Sequence, residues 1–119
     1  MANSLSSSNF PYLPAHIQIG ISKISLDVEA LVDTGFGGGI AIPKNIVDLS
    51  HLPYMTTHWI LADGTEILAK AYLGYAQIGN FDPINCTIAL LGDEPLIGRE
   101  VINSFKIILD HGRKIILEP

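Results

Sequence analysis

The feature that most constrains this chain is an alternation of apolar and polar residues with a period of two, interrupted at short intervals by turn formers. From His16 onward the apolar side chains fall at Ile17, Ile19 and Ile21, then at Ile24, Leu26, Val28, Ala30 and Val32, with Asp27 and Glu29 on the opposite face. Successive side chains on a strand point to opposite faces, so two half-buried strands are expected, joined near Ser22-Lys23 as a hairpin. Ile40-Ala41-Ile42 is a further short strand, and Pro43 to Leu49 is expected to form a turn or two of helix. Asp63-Gly64 between two strand-like runs marks a tight two-residue hairpin, beyond which Ile67, Ala69, Ala71, Leu73 and Tyr75 alternate. Turns at Gly79 to Pro83 and Gly92 to Pro95 bound a strand over Ile84 to Leu91. Lys106 to Leu109 and Lys114 to Leu117 flank Asp110-His111-Gly112-Arg113 as a last hairpin, and Val101, Ile102 and Phe105 carry helical spacing just before it. Many short strands with almost no room for helix argue for an all-β barrel or sandwich. A length of 119 residues makes that one domain.

Composition narrows the function classes. Hydrophobic residues make up 48% of the chain and charged residues 16%, so either the core is well filled or a partner covers apolar surface. The formal net charge is -5, with seven Lys and Arg and no basic run; phosphate contacts need clustered cations, so nucleic acid is not an expected partner. No apolar run approaches the roughly 20 residues that span a bilayer, so no membrane association is expected. Residues 1–9 lack the basic start and apolar core of a signal peptide. Residues 1–12 are expected to be a disordered lead to a domain at 13–119, in a cytoplasmic protein. The one cysteine, Cys86, cannot form a disulfide within the chain; it sits in an alternating apolar stretch and reads as a buried structural thiol. His16, His51, His58 and His111 show no metal spacing, and phosphate-loop, dinucleotide and serine-elbow motifs are absent, so no cofactor or metal is expected.

The chemistry concentrates in Leu31-Val32-Asp33-Thr34-Gly35-Phe36-Gly37-Gly38-Gly39. An apolar strand runs into an acid, a hydroxyl and then glycines, which places one carboxylate on a loop at the end of a buried strand. The Gly37-Gly38-Gly39 run is expected to continue that loop flexibly. Asp-Thr-Gly alone also makes ordinary turns. Two further pieces follow it: Asp63-Gly64, thirty residues later, and Leu96-Ile97-Gly98-Arg99 near the end.

This trio, in this order, resembles the retropepsin-like family of aspartic proteases, and the likeness covers about residues 15–118. Phe36 is similar to a bacterial and archaeal subgroup with Asp-Thr-Gly-Phe in place of the Ala or Ser of viral members. The resemblance implies a closed retropepsin-like acid-protease barrel with one short C-terminal helix, a β-hairpin flap, and a homodimer acting on a peptide or protein substrate. It implies Asp33 as the catalytic residue, with Thr34 and Gly35 supporting the active-site loop and Thr34 bracing the two loops across the dimer axis. It implies a flap over about Trp59 to Leu68, with Ala62, Asp63 and Gly64 at its tip against substrate. It also implies that Leu96, Ile97, Gly98 and Arg99 pack behind the site. Where viral members carry acids that pair with the Arg, this chain has Gly37 and Gly38, so Arg99 lacks that partner. Phe36, bulkier than Ala, either narrows the pocket beside Asp33 or fills the core.

Peptide hydrolysis by this route needs two carboxylates sharing one proton, because like charges about 3 Å apart do not both ionise. The ionised member takes a proton from water while the protonated member supports the carbonyl oxygen. Asp27, Asp48, Asp63, Asp82, Asp93 and Asp110 are not followed by Thr-Gly or Ser-Gly, so the second carboxylate has to be Asp33 of another subunit on a two-fold axis. Plainer readings stand beside these. Thr34 is otherwise a strand-end hydroxyl bonding its own backbone, Asp63-Gly64 only a turn, Trp59 and Tyr54 half-buried strand residues, and Arg99 either a cap of its helix or an ion-pair partner. The leading expectation is a homodimeric aspartic endopeptidase; the alternative is a non-catalytic dimer of the same fold that binds peptides or a partner protein.

Overall fold

A computed structural model describes residues 4–20 and 24–119. In chain order these form β1 (Leu5–Ser7), β2 (Tyr12–Ile19), β3 (Ser25–Val32), β4 (Ile40–Ile42), β5 (Met55–Ile60), β6 (Glu66–Ile78), β7 (Ile84–Leu90), β8 (Leu96–Ile97), α1 (Arg99–Ile102), β9 (Lys106–Asp110) and β10 (Lys114–Glu118). With 53% strand and 4% helix the class is all-β. Six strands close a barrel in the order β2-β3-β8-β4-β7-β6, and β6 returns to β2 to shut it. Closure decides between the barrel and the sandwich that the alternation alone left open. Two pairings, β3 with β8 and β4 with β7, are parallel, so distant stretches of chain meet at one end of the barrel. A separate sheet, β1-β10-β9, is antiparallel throughout.

The core follows from the pattern. On β2, Leu13, Ala15, Ile17 and Ile19 are buried, and on β3 Asp27 and Glu29 face out while Ala30 faces in. Ile40, Ile88 and Ile97 join them inside, and Ile115 and Leu117 of the second sheet belong to the same cluster. Branched side chains fit the pleated, buried surface of strands. Each such side chain taken out of water contributes about 1.5–3 kcal/mol.

β6 has two partners in succession. Glu66 to Ala71 pairs with β5 and leaves the barrel as a two-stranded hairpin, while Ala71 to Ile78 pairs with β7 and β2. The buried face changes accordingly. Ala69 and Ala71 are buried in the hairpin half, but Tyr72, Ala76 and Ile78 are buried in the barrel half, and Leu73 is 65% exposed. The expected alternation through Leu73 and Tyr75 therefore breaks at Tyr72, because the barrel interior lies on the other side of the same strand. Gly74 lies where β7 and β2 flank β6 together, and a Cβ there would run into the Gln18 carbonyl.

Other expectations are corrected. Within the expected disordered lead, Leu5–Ser7 form β1, paired with Ile115 to Leu117 of β10, and β2 already begins at Tyr12. Pro43 to Leu49 forms no helix; Ile46 N–H closes a single turn onto the Pro43 carbonyl at 3.3 Å. The Asp63-Gly64 hairpin has a three-residue loop, Ala62 to Gly64, with Leu61 N–H donating to the Thr65 carbonyl at 2.8 Å. A two-residue type I′ turn needs positive φ at both central residues, and here only Gly64, at φ +86°, has it. Asp63 instead accepts the Thr65 N–H at 2.9 Å, and bonds from the Thr65 side chain and N–H hold its carboxyl below the usual carboxylate range. The β2–β3 pairing is the expected one, though Ser22-Lys23 and Ile21 lie outside the described residues.

Cys86 is buried on β7, and burial, reinforced by the negative charge of Glu100, pushes its thiol up from 9.0 to about 12. The unfolded thiol therefore ionises well before the folded one. Below pH 9 this has no effect on stability; above it the unfolded state is favoured by up to about 1.4 kcal/mol per pH unit. Cys86→Ala is expected to flatten the alkaline loss of stability between about pH 9 and 11, measured by urea denaturation. Native protein is expected to resist thiol alkylation at pH 8 and to label on unfolding; rapid native labelling would contradict the buried placement.

Candidate active site

Asp33 is the first residue past β3, and its loop is fixed by backbone bonds to the chain around Gly98. Asp33 N–H donates to the Ile97 carbonyl at 2.9 Å, Arg99 N–H to the Phe36 carbonyl at 2.9 Å, and Glu100 N–H to the Gly38 carbonyl at 3.1 Å. Gly98 N–H donates in return to the Gly39 carbonyl at 2.8 Å. β8 supplies this scaffold by lying between β3 and β4, pairing Val32 with Ile97 on one side and Ile40 with Ile97 on the other. Leu96, Ile97 and Gly98 thus sit directly behind the Asp33 loop, brought there from more than sixty residues away in sequence.

Asp33 as a residue is half-buried. One oxygen, Oδ1, accepts the Gly35 N–H at 2.9 Å, and the other has no hydrogen-bond partner among the described residues. Thr34 and Gly35 are exposed, and the Thr34 hydroxyl makes no hydrogen bond within the described chain, so it does not bond its own backbone. Arg99 donates from Nη1 to the Thr34 carbonyl at 2.7 Å. It therefore holds the loop through a main-chain carbonyl, and no acid pairs with it among the described residues. Gly37 leaves room for this, since a Cβ there would stand 3.0 Å from Arg99 Nη2.

Gly38 and Gly39 are buried, which corrects the expectation of a flexible run. Their need is for space. A Cβ on Gly38 would lie 2.7 Å from Phe36 Cζ and 2.8 Å from Trp59 Cη2. Phe36 is 7% exposed and meets the Trp59 ring at a centroid distance of 4.9 Å, tilted by 48°. Phe36 is thus a buried, space-filling residue, and through it Trp59, on the β5–β6 hairpin, reaches the Asp33 loop. Tyr54 stays outside, 52% exposed, with Lys70 Nζ 4.5 Å above its ring. Ala62, Asp63 and Gly64 at the hairpin tip are exposed, and among the described residues no hydrogen bond joins them to the Asp33 loop. A groove of about 1010 Å³ between residues 44–50 and β6 is lined by Leu49, Leu68 and Tyr72 and contains none of the Asp33 loop.

Sequence reasoning missed Glu100. Its two carboxylate oxygens accept the Thr87 N–H at 3.1 Å and the Thr87 hydroxyl at 3.0 Å, fastening α1 to β7 beneath the loop. No local pattern announces a contact thirteen residues apart between a helix and a strand. The four histidines remain apart from the site, and no group of His, Cys, Asp and Glu suited to a metal ion occurs among the described residues. No protein-family model matches the chain, and no curated protein matches it.

Proposed function

We propose that the protein is a homodimeric aspartic endopeptidase of the retropepsin-like type. The observation that carries this is the presentation of Asp33: its backbone is pinned to Ile97, one carboxylate oxygen is oriented by Gly35, and the other is open at a half-exposed edge. The second carboxylate comes from the same residue of a second copy, and the exposed Thr34 and Gly35 form the surface through which the two loops meet. A water held between the two Asp33 groups loses a proton to the ionised one and attacks the peptide carbonyl, whose oxygen takes a hydrogen bond from the protonated one. The proton then passes to the leaving amine.

The β5–β6 hairpin serves as the flap. Ile60, Leu61 and Leu68 beside its tip are 69%, 40% and 72% exposed, an apolar surface suited to an extended peptide that also bonds through its main chain. Among the described residues no helix is long and apolar enough to cross a membrane. The reading places the enzyme in the cytoplasm, acting on peptide or protein.

Sedimentation equilibrium at pH 5 and 7 tests the dimer without a known substrate, and peptide cleavage across a dilution series tests its role. Specific activity is expected to fall steeply as the protein is diluted through its dimer dissociation constant, because a monomer holds a single Asp33. Activity proportional to concentration down to a range where sedimentation shows only monomer would rule the mechanism out.

A further inference from the structure

The β5–β6 hairpin leaves the barrel with few attachments. Among the described residues β5 pairs with β6 alone, and β6 from Glu66 to Lys70 pairs with β5 alone. The hydrogen bonds, ion pair and cation contact of these stretches stay within the hairpin and its approach: Thr57 hydroxyl to the Ala69 carbonyl at 2.9 Å, His58 with Glu66 at 3.7 Å, and Lys70 over Tyr54. A two-stranded ribbon of this kind is marginally stable in water by itself. Among the described residues the one ring contact that leaves it is Trp59 on Phe36.

We infer that Trp59 is a positioning residue that latches this hairpin onto the Asp33 loop. Three features build the latch. Trp59 Nε1 donates to the Thr57 hydroxyl at 2.8 Å, which bonds Ala69 in turn, so the indole is held in one orientation from its own hairpin. Phe36 follows Asp33 by three residues and donates its N–H to the Asp33 carbonyl at 3.2 Å, so the ring that receives Trp59 belongs to the same turn as the carboxylate. Gly38 lies against both rings, and any side chain there would drive them apart. The hairpin is consequently held down before any ligand arrives, at a height set by the two rings. Its service over a substrate rests on the protease reading; the latch itself does not.

Trp59 is the sole tryptophan, so its fluorescence reports the latch directly. Wild type is expected to emit to the blue of free indole and to resist acrylamide. Phe36→Leu keeps a core-filling side chain but removes the ring. It is expected to shift the emission to the red, raise quenching, and speed amide exchange in residues 55–71 about tenfold, with exchange in the rest of the barrel unchanged. Trp59→Phe, which keeps a ring against Phe36, is expected to retain wild-type hairpin exchange. Trp59→Leu, at a half-buried hairpin position where folding is not at stake, is expected to give the same selective loss of hairpin protection. Solvent-like emission in wild type, or unchanged hairpin exchange in both Phe36→Leu and Trp59→Leu, overturns the latch. None of these readouts needs a substrate, so a protein that cleaves nothing yet passes them fails as a protease and keeps its latch.

Discussion

Asp33→Asn is expected to abolish peptide hydrolysis, by about 10³-fold or more, while leaving the fold and the dimer mass in place. The substitution spares what the structure uses Asp33 to hold. The backbone N–H still donates to the Ile97 carbonyl, and an amide oxygen at the Oδ1 position still accepts the Gly35 N–H. The side chain keeps its size. What disappears is the capacity to take a proton from water and return it, and it disappears twice, because both halves of the proposed pair are the same residue. The measurement is cleavage of a peptide library followed by mass spectrometry, at pH 5 and 7, beside sedimentation of the same preparations. Wild type is expected to work best at mildly acidic pH, where one of two adjacent carboxyls is ionised. If Asp33→Asn cleaves as wild type does, the Asp33 mechanism is wrong. If both are dimers that bind peptides and neither cuts, the non-catalytic reading replaces the enzyme.

The parts of this molecule that were legible in the sequence are those written in its local period. Ile17, Ile19, Ala30 and Ile88 alternate and are buried, and the strand that delivers Asp33 ends where its apolar run ends. No local pattern brings Leu96-Ile97-Gly98 beside Asp33; backbone bonds between distant stretches do so. What was lost is what depends on partners far away. β1 reads as a polar serine run and becomes a strand only because β10 offers it an edge. β6 keeps one alternation by sequence and two by structure, since its neighbour changes at Ala71. The loop at Asp63-Gly64 adopts three residues because the Asp63 carboxylate finds the Thr65 N–H, a competition that a dipeptide rule does not contain. Among the described residues no acid pairs with Arg99, and the Thr34 carbonyl that its guanidinium bonds is a main-chain group with no sequence signature. Gly37, Gly38 and Gly39 look alike in sequence; the guanidinium of Arg99, the rings of Phe36 and Trp59, and Cys86 with the Thr87 carbonyl tell them apart in turn.

Gly98→Ala is expected to be among the most damaging single methyl additions in the barrel. Gly98 has φ -100° and ψ -176°, extended backbone that any residue adopts, so the cost comes from space alone. A Cβ there would overlap the Gly38 carbonyl and stand 2.6 Å from Phe36 Cδ2 and 2.8 Å from the Phe36 carbonyl. Two of those three obstacles are backbone, and that backbone is the Asp33 loop. The loop cannot retreat without breaking the bonds from Arg99 N–H and Glu100 N–H that define it. Overpacking a tight core costs about 1–3 kcal/mol, and a clash with fixed carbonyls belongs at or above the top of that range. A loss of about 3 kcal/mol is expected in urea denaturation, and the remaining folded protein is expected to have lost its hydrolysis, since Asp33 must move with the loop. Gly37→Ala supplies the control one turn away. Its Cβ meets only the end of the exposed Arg99 side chain, which can shift at the cost of part of its bond to the Thr34 carbonyl, so a loss of no more than about 1 kcal/mol is expected. Equal effects of the two substitutions would mean that the Asp33 loop is not seated on Gly98 as described, and the rigid presentation of the carboxylate, on which the proposed chemistry depends, would go with it.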